Sequence, residues 1–203
     1  LARTITAGHA FGGDLEAVNI YSALAMAKTV AAADLIIIAM GPGIVGTGTK
    51  YGFSGIEQAY ILEAVERLGG IPIAIPRISF ADRRLRHIGL SHHSQTVLGE
   101  LTFATAALGL PRWNDEAKRR ILSRQIQTSG LTRHHLYMVE IPAVEALMVA
   151  HHLEVKTMGR SFADDPAFFE TAAAAGILAT YYLQNTVSTL PPWPVMIDIK
   201  EEG

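Results

Sequence analysis

The chain has 203 residues, enough for one domain with a substantial core, and its 49% of hydrophobic against 18% of charged residues argues against a disordered chain. The net charge of −2 provides no electrostatic attraction for nucleic acid, and no apolar run reaches the ~20 residues that cross a bilayer. The sequence has no cysteine, which excludes disulfides, thiolate nucleophiles and cysteine-bound metals and is typical of a cytoplasmic protein.

The N-terminal part predicts a strand, a helix and a second strand. Residues 4–7 are strand-like, and a helix is expected over residues 15–32 with Asp14 as its N-cap. This helix is apolar on nearly all sides, which indicates a buried helix. Residues 35–40 are apolar without polar alternation, the pattern of a parallel strand covered on both faces. Because the chain begins at Leu1, without Met, and enters a strand almost at once, we expect a segment of the protein to precede it.

Helices and strands continue to alternate after residue 50. Ser54 and Glu57 form a capping-box pattern that predicts a helix over residues 54–68, and two prolines in residues 71–76 indicate an edge strand. A polar segment follows at residues 77–95. In chain order, the remaining predicted elements are helices over 96–108 and 115–127, a strand over 135–141, a helix over 142–153, a strand over 154–158, and a final helix with Asp165 as N-cap and Pro166 at its first position.

This alternation predicts an α/β fold with a mainly parallel, doubly wound sheet and helices on both faces. Residues 1–185 would form a single domain, and the proline-rich, acidic residues 186–203 a strap or tail. Ligands of such folds bind beyond the carboxyl ends of the strands. The polar loops at residues 9–14, 41–54 and 77–95 follow predicted strands, so we expect them to converge on one edge of the sheet.

The glycine-rich loop after residue 40 is the most informative motif, because glycines let a backbone approach a ligand closely and direct unpaired N–H groups at phosphates. Gly41, Gly43 and Gly46 have the G-x-G-x-x-G spacing of dinucleotide sites, but the loop continues too far before a helix begins. The spacing from Gly43 to Lys50 is one residue too long for a P-loop. We therefore predict a loop that binds an anion, against the alternative of glycines that only shape a turn. The predicted ligand-binding residues of this loop are Gly41, Gly43, Gly46, Thr47, Gly48 and Thr49.

Residues on the other two loops are candidates for proton transfer and for charge recognition. His9 could act as a general base that Asp14 orients, or could simply hydrogen-bond to the backbone. Arg77 and Arg83 belong to an arginine-rich segment, and guanidinium groups bind phosphate or carboxylate through paired hydrogen bonds. We predict that both arginines contact the anion.

The adjacent histidines His92 and His93 are predicted to transfer protons or to bind a metal. With His87 and Asp82 they could form a zinc or manganese site, because both ions accept imidazole and carboxylate ligands. The H-E-x-x-H signature is absent, so no metal is assigned to the predicted site. Two further histidine pairs, at residues 134–135 and 151–152, are interpreted as structural.

The sequence also contains long and distinctive motifs. They are TITAGHAFGGD at residues 4–14, MGPGIVGTGT at residues 40–49, GFSGIEQ at residues 52–58 and SHH at residues 91–93. Together they resemble an uncharacterised bacterial family that is catalogued only as a domain of unknown function and is found in Gram-positive and related bacteria. The resemblance covers most of the chain and implies a longer N-terminus, but it supplies no reaction.

These observations favour a cytoplasmic enzyme that binds a small anionic or phosphorylated molecule, without a nucleic-acid or membrane partner. The alternative is a non-catalytic ligand-sensing or assembly domain of a longer protein, which would need the glycines and arginines but not the histidines. A third interpretation makes the glycines purely architectural and places the function on an oligomer surface. The apolar composition is compatible with a homodimer, and no cofactor is assigned.

Overall fold

A computed structural model of the protein describes residues 2–41 and 43–184, so the predicted tail at residues 186–203 lies outside the described part. Helices are combined with three two-stranded sheets. Two sheets are parallel: β1 (Ile5–Ala7) pairs with β2 (Leu15–Ala17), and β5 (Ala107–Pro111) pairs with β6 (His135–Val139). In the third sheet, β3 (Ile78–Ser79) pairs antiparallel with β4 (Gly89–Leu90). The predicted mixture of helices and parallel strands is confirmed. The described strands form short separate pairs, and a doubly wound sheet with helices on both faces stays a prediction.

The helices are distributed along the described chain. They are α1 (Ile20–Thr29), α2 (Glu57–Arg67), α3 (His92–Ser94), a π-helix (Gln95–Leu101) that continues α3 directly, α4 (Glu116–Thr128), α5 (Val144–Ala150) and α6 (Pro166–Gln184), with 3-10 turns at Ser54–Ile56, Leu85–His87 and Leu131–Arg133. None of the described helices is both long enough and apolar enough to cross a membrane. The main core contains buried side chains from α2, β5, α4 and β6, among them Leu62, Leu108, Leu122 and Leu136.

Predicted elements are confirmed where the local signals are strong. Helix α4 begins after Asp115, whose side chain accepts a hydrogen bond from the Lys118 N–H at 3.1 Å. Residues 71–76 contribute only one parallel bridge, from Ile73 to Ala107, as their two prolines predicted. Strands β1 and β6 and helices α2, α5 and α6 also lie within or close to the predicted ranges.

The prediction of one helix over residues 15–32 is wrong at its start. Residues 15–17 form strand β2, and α1 begins after Asn19, whose side chain accepts a hydrogen bond from the Ser22 N–H at 3.1 Å. Asp14 is therefore not the N-cap. Its carboxylate accepts a hydrogen bond from the Thr4 N–H at 2.8 Å, and this contact closes the loop that joins β1 to β2.

The apolar residues 35–40 are not a strand covered on both faces. They have no regular secondary structure, and the side chains of Leu35 to Ile38 are 38–73% exposed. No described strand pairs with them, so the backbone lacks the ladder of hydrogen bonds that would stabilise a parallel strand.

Two later predictions are also wrong. The predicted helix over residues 96–108 ends at Leu101 as a π-helix, and the fully buried strand β5 begins at Ala107. Helix α6 packs so closely on β5 that a Cβ on Gly109 would lie 2.7 Å from the carbonyl oxygen of Ala174, and this buried contact outweighs local helix propensity. Residues 154–158 form no strand, because Thr157 and Arg160 bridge across a tight turn instead.

The buried side chain of His134 joins the π-helix to strand β5. Its Nδ1 atom accepts a hydrogen bond from the Ala106 N–H at 3.1 Å, and its Nε2–H donates to the Leu98 carbonyl oxygen at 2.8 Å. Both bonds require the neutral ring with its proton on Nε2. This histidine of the 134–135 pair is structural, as predicted from the sequence.

Substitution of His134 by alanine is expected to lower the free energy of unfolding by about 1–3 kcal/mol, because the buried Ala106 N–H loses its partner and the Leu98 carbonyl oxygen keeps only the donor from Arg133. The exposed neighbour His135 provides a matched control, and His135→Ala should change the same quantity by less than ~0.5 kcal/mol. Urea denaturation of both variants measures the difference, and equal effects would contradict the structural role of His134.

Stability should also depend on pH through His134. Burial lowers the pKa of His134 below the ~6.5 of an unfolded histidine, so the unfolded chain takes up the proton first. The stabilisation is therefore complete above about pH 6.5 and is lost as the pH falls below it. The variant His134→Gln keeps a donor and an acceptor but does not titrate. As the pH falls below about 6.5, we expect the unfolding free energy of His134→Gln to decrease less steeply than that of the parent, and the two slopes should differ by up to ~1.4 kcal/mol per pH unit. Equal slopes would refute the buried, neutral state of His134.

Candidate functional site

A buried carboxylate organises the segment that carries the predicted arginines. Asp82 accepts hydrogen bonds from the Nε, Nη2 and backbone N–H groups of Arg84, each at 3.0 Å, and from Arg77 Nη2 at 3.2 Å. Arg160 Nη2 lies 3.5 Å from the same carboxylate. The hydrogen bonds from Arg84 and the nearby guanidinium charges hold the pKa of Asp82 well below its usual range. Asp82 is therefore ionised and fully engaged.

A second buried carboxylate connects this segment to helix α6. Asp165 accepts hydrogen bonds from Ser79 Oγ at 2.6 Å and from Arg160 Nε at 3.1 Å. Asp165 lies directly before Pro166, the first residue of α6, as predicted, but its side chain binds Ser79 and Arg160 in addition to its place at the helix start. A turn in which Met158 and Gly159 have φ angles of 49° and 79° positions Arg160 between the two carboxylates.

Three histidines meet next to this network. His87 ends a 3-10 turn, and its Nδ1 atom lies 2.8 Å from Ser91 Oγ. Ser91 is also the N-cap of α3, because its Oγ accepts a hydrogen bond from the His93 N–H at 3.3 Å. The ring centroids of the three histidines are 4.2 to 5.2 Å apart. The π-helix that follows α3 is a rare conformation that is often associated with functional sites.

The histidine rings are neutral at neutral pH. Burial, assisted by the charge of Arg84, lowers the pKa of His87 to about 4. Burial also lowers the pKa of His93 to about 4, and burial together with the charge of Arg86 lowers the pKa of His92. A neutral imidazole can accept a proton or ligate a metal, but it cannot donate a proton as an imidazolium does.

The glycine-rich loop folds back on itself opposite these histidines. Gly46 and Phe53 form an antiparallel bridge, and the Thr47 N–H donates to the Gly52 carbonyl oxygen at 2.6 Å. In the described chain, the backbone N–H groups of Gly48 and Lys50 have no acceptor. They are therefore available to a ligand.

Ser54 belongs to this folded loop rather than to the capping box predicted for α2. Its Oγ accepts a hydrogen bond from the Val45 N–H at 3.1 Å, and its own N–H donates to the Val45 carbonyl oxygen at 2.8 Å. The predicted capping contact with the start of the helix is absent from the described hydrogen bonds, although the helix itself is confirmed.

Contacts to the π-helix and to α3 hold the loop in place. Lys50 Nζ lies 2.7 Å from a carboxylate oxygen of Glu100, and the hydroxyl of Tyr51 donates to the same carboxylate at 3.2 Å. The hydrogen bond between Lys50 and Glu100 raises the pKa of Lys50 and lowers that of Glu100. Phe53 stacks on His93 with 4.2 Å between the ring centroids.

The glycine-rich loop and the histidines line an open cleft of about 370 Å³. Its walls are residues 47–50, Phe53, Arg86, His92 and His93. Arg86 makes no ion pair or hydrogen bond within the described residues, in contrast to Arg77 and Arg84. The cleft therefore combines an uncommitted guanidinium group, unpaired backbone amides and neutral imidazoles.

The structure brings two of the three predicted loops together. Thr47, Gly48 and Thr49 share the cleft with His92 and His93. The sequence-based selection did not include the cleft residues Lys50, Phe53 and Arg86. Two of them had a signal in the sequence: Arg86 lies in the arginine-rich segment beside His87, and Lys50 ends the glycine-rich loop.

The remaining predicted site residues lie outside the walls of the cleft. Arg77 is committed to Asp82, and Arg83 is exposed. Gly46 is engaged in its bridge to Phe53. Four further residues belong to this group: Gly41 and Gly43, which are exposed, His9, which is exposed on the loop between β1 and β2, and Asp14, which binds the Thr4 N–H.

Removal of the charge at Asp82 should destabilise the fold. Asp82→Asn would leave partly buried guanidinium groups without their counter-charge, and we expect the free energy of unfolding to fall by about 3 kcal/mol. Glu116→Gln is a control, because Glu116 forms an exposed ion pair with Arg120 on α4 and should contribute less than ~1 kcal/mol. Chemical denaturation compares the two, and a loss at Asp82 no larger than the control would contradict the central role of this carboxylate.

Comparisons with known proteins place the chain in a family without a described reaction. No curated protein and no solved structure matches it. A family model described as "Protein of unknown function (DUF3866)" matches residues 1–176. Since the match covers most of the 203 residues, the chain belongs to this family.

Proposed function

We propose that the protein is an enzyme that binds a small anionic or phosphorylated molecule in the cleft between the glycine-rich loop and helix α3. The observation that carries this proposal is the meeting of residues 47–50, Arg86 and the neutral His92 and His93 around one opening. These groups come from distant parts of the sequence, and each of them can contribute to binding or converting an anion.

The binding chemistry depends mainly on Arg86 and the loop. A guanidinium group without an internal partner can offer two parallel hydrogen bonds to a phosphate or carboxylate. The free N–H groups of Gly48 and Lys50 would bind further oxygen atoms of the same anion. Lys50 adds positive charge at the wall of the cleft, even though Glu100 holds its ammonium group.

The catalytic part of the proposal assigns proton acceptance to His92 or His93. Both line the cleft and are neutral at neutral pH, the form in which imidazole acts as a general base. His9 and Asp14 stay in the proposal as a catalytic pair that would approach the bound molecule from the loop between β1 and β2. We also propose that five further residues contribute to ligand binding: Gly41, Gly43, Gly46, Arg77 and Arg83.

A second candidate is a non-catalytic ligand-sensing or assembly domain of a longer protein. The ion pair of Lys50 with Glu100 favours it, because an anion that competes for Lys50 would release Glu100 of the π-helix. Binding would then change the contact between the loop and the π-helix without any reaction. Binding of a phosphorylated molecule that the protein never converts would favour this candidate.

The proposal also covers the location, the sheet architecture and the oligomeric state of the protein. We expect a cytoplasmic protein with a doubly wound sheet and no nucleic-acid partner, in keeping with the net charge and the absence of cysteine. A homodimer is part of this expectation, and the exposed apolar side chains of residues 35–38 support it. Sedimentation velocity over a range of protein concentrations tests the dimer.

Isothermal titration with inorganic phosphate, pyrophosphate and small phosphorylated molecules tests the binding site, with EDTA present in every titration. Arg86→Ala should weaken binding roughly 10- to 100-fold, the loss expected for hydrogen bonds to a charged group. Arg124→Ala is the matched control, because Arg124 is an exposed arginine on α4 away from the cleft, and it should leave the affinity unchanged.

Titration of Arg83→Ala with the same molecules measures whether Arg83, an arginine predicted from the sequence to bind the anion, contributes to the affinity in addition to Arg86. Equal affinities of the parent and Arg86→Ala would place the anion outside the cleft and refute the site. Equal losses in Arg86→Ala and Arg124→Ala would indicate attraction by overall charge instead of a defined contact.

A further inference from the structure

Two imidazole nitrogens in the histidine cluster are buried without a partner. His87 Nε2 and His92 Nε2 are inaccessible to solvent, and neither has a hydrogen-bond partner among the described residues. Buried polar atoms are almost always paired, and an unpaired one needs a specific explanation. Two of them on adjacent rings, whose centroids are 4.8 Å apart, point to a shared ligand between the rings.

The same cluster has the composition and spacing of a metal site. His87, His92 and His93 each offer a nitrogen, and these nitrogens all lie within 4.8 Å of one another. Tetrahedral ligands at about 2.1 Å from zinc are ~3.4 Å apart, so rotation of the side chains would close the three rings on an ion. Asp82 does not belong to this set, because its oxygen atoms are occupied by arginines.

We propose that His87, His92 and His93 bind one zinc ion and leave a coordination position open towards the cleft. Three imidazoles without thiolate or carboxylate ligands suit zinc and related borderline ions, and are unlike the oxygen-rich sites of manganese, magnesium or calcium. Sites with three protein ligands and one open position are the catalytic type of zinc site. The inference deepens the proposed function, because His92 and His93 also line the anion cleft, and as metal ligands they would no longer accept protons themselves.

Ser91 is the positioning residue of this site. Its buried Oγ lies 2.8 Å from His87 Nδ1, closer than Arg77 Nη1 at 3.5 Å, and can accept a hydrogen bond from Nδ1, which leaves Nε2 free to bind the metal. Metal-bound histidines commonly donate their second N–H in this way.

The charges around the cluster are positive on balance, so the imidazole ligands must outweigh this repulsion to bind a cation, and the same charges favour an anion beside it. Asp82 pairs with Arg77 and Arg84, and its single negative charge offsets one of these two positive charges. Arg86 keeps its charge and faces the cleft. A bound zinc ion and Arg86 would together attract an anionic ligand to the open coordination position.

Metal titration of the EDTA-treated, dialysed full chain tests the site in phosphate-free buffer. We expect one Zn²⁺ per chain by calorimetry, and one Co²⁺ per chain with the absorption bands of tetrahedral cobalt. His92→Ala should weaken Zn²⁺ binding roughly 100-fold or more, because changes to groups that merely orient ligands already cost 10- to 100-fold. His151→Ala is the matched control, since His151 and His152 are an exposed adjacent pair, and it should bind as the parent does.

X-ray absorption of the zinc-loaded parent provides a measurement that does not depend on the folding of a variant. Three imidazole ligands at about 2.0–2.1 Å are expected. Fewer than three imidazoles, unchanged binding in His92→Ala, or loss of binding in His151→Ala would overturn the proposal.

The metal site and the anion site fail separately. Zinc binding without anion binding, both in EDTA and by the zinc-loaded chain, would overturn the proposed function and leave the metal site in place. Anion binding in EDTA that requires Arg86, together with no zinc binding, would overturn the metal site alone.

Discussion

The ionised carboxylate of Asp82 is the constraint on which the rest of the site depends. Residues 77–94 contain little regular structure, with two-residue strands and a single 3-10 turn before α3. Ordinary backbone ladders therefore hold this segment only weakly. The guanidinium groups of Arg77, Arg84 and Arg160 surround the carboxylate of Asp82 and fix the path of this segment. Arg160 also connects the network to Asp165 at the start of α6. The histidines beside the network are positioned by charge pairing as much as by hydrophobic packing.

This pairing also separates the arginines by role. Arg77 and Arg84 pair with Asp82, whereas Arg86 lies at the wall of the cleft without a counter-ion in the described chain. Positive charge without a partner costs little where water reaches it, and it is most useful where an anion can displace that water. The same segment thus provides a rigid support and a charged binding group within ten residues of chain.

The sequence predicted what short-range chemistry controls and failed where distant contacts decide. The N-cap Asp115 sets the start of α4 through one local hydrogen bond, so its helix was predictable. Strand β5 was not, because close packing of α6 on Gly109 favours a strand in a stretch rich in alanine and leucine. A tertiary contact likewise decides which arginines are paired, because Asp82 binds Arg77 and Arg84 but not Arg86. Spacing identified a cluster of arginines but could not say which of them would be left unpaired.

The apolar stretch at residues 35–40 has a consequence for the behaviour of the protein in solution. Its sequence, Leu-Ile-Ile-Ile-Ala-Met, has high β propensity and contains no charge, proline or glycine. Segments of this length and composition stack into cross-β structure when they remain uncovered. With side chains up to 73% exposed, this stretch makes the isolated chain prone to aggregation on concentration. A charged substitution at Ile37, the most exposed of these side chains, is the change that would best preserve solubility without disturbing the cleft.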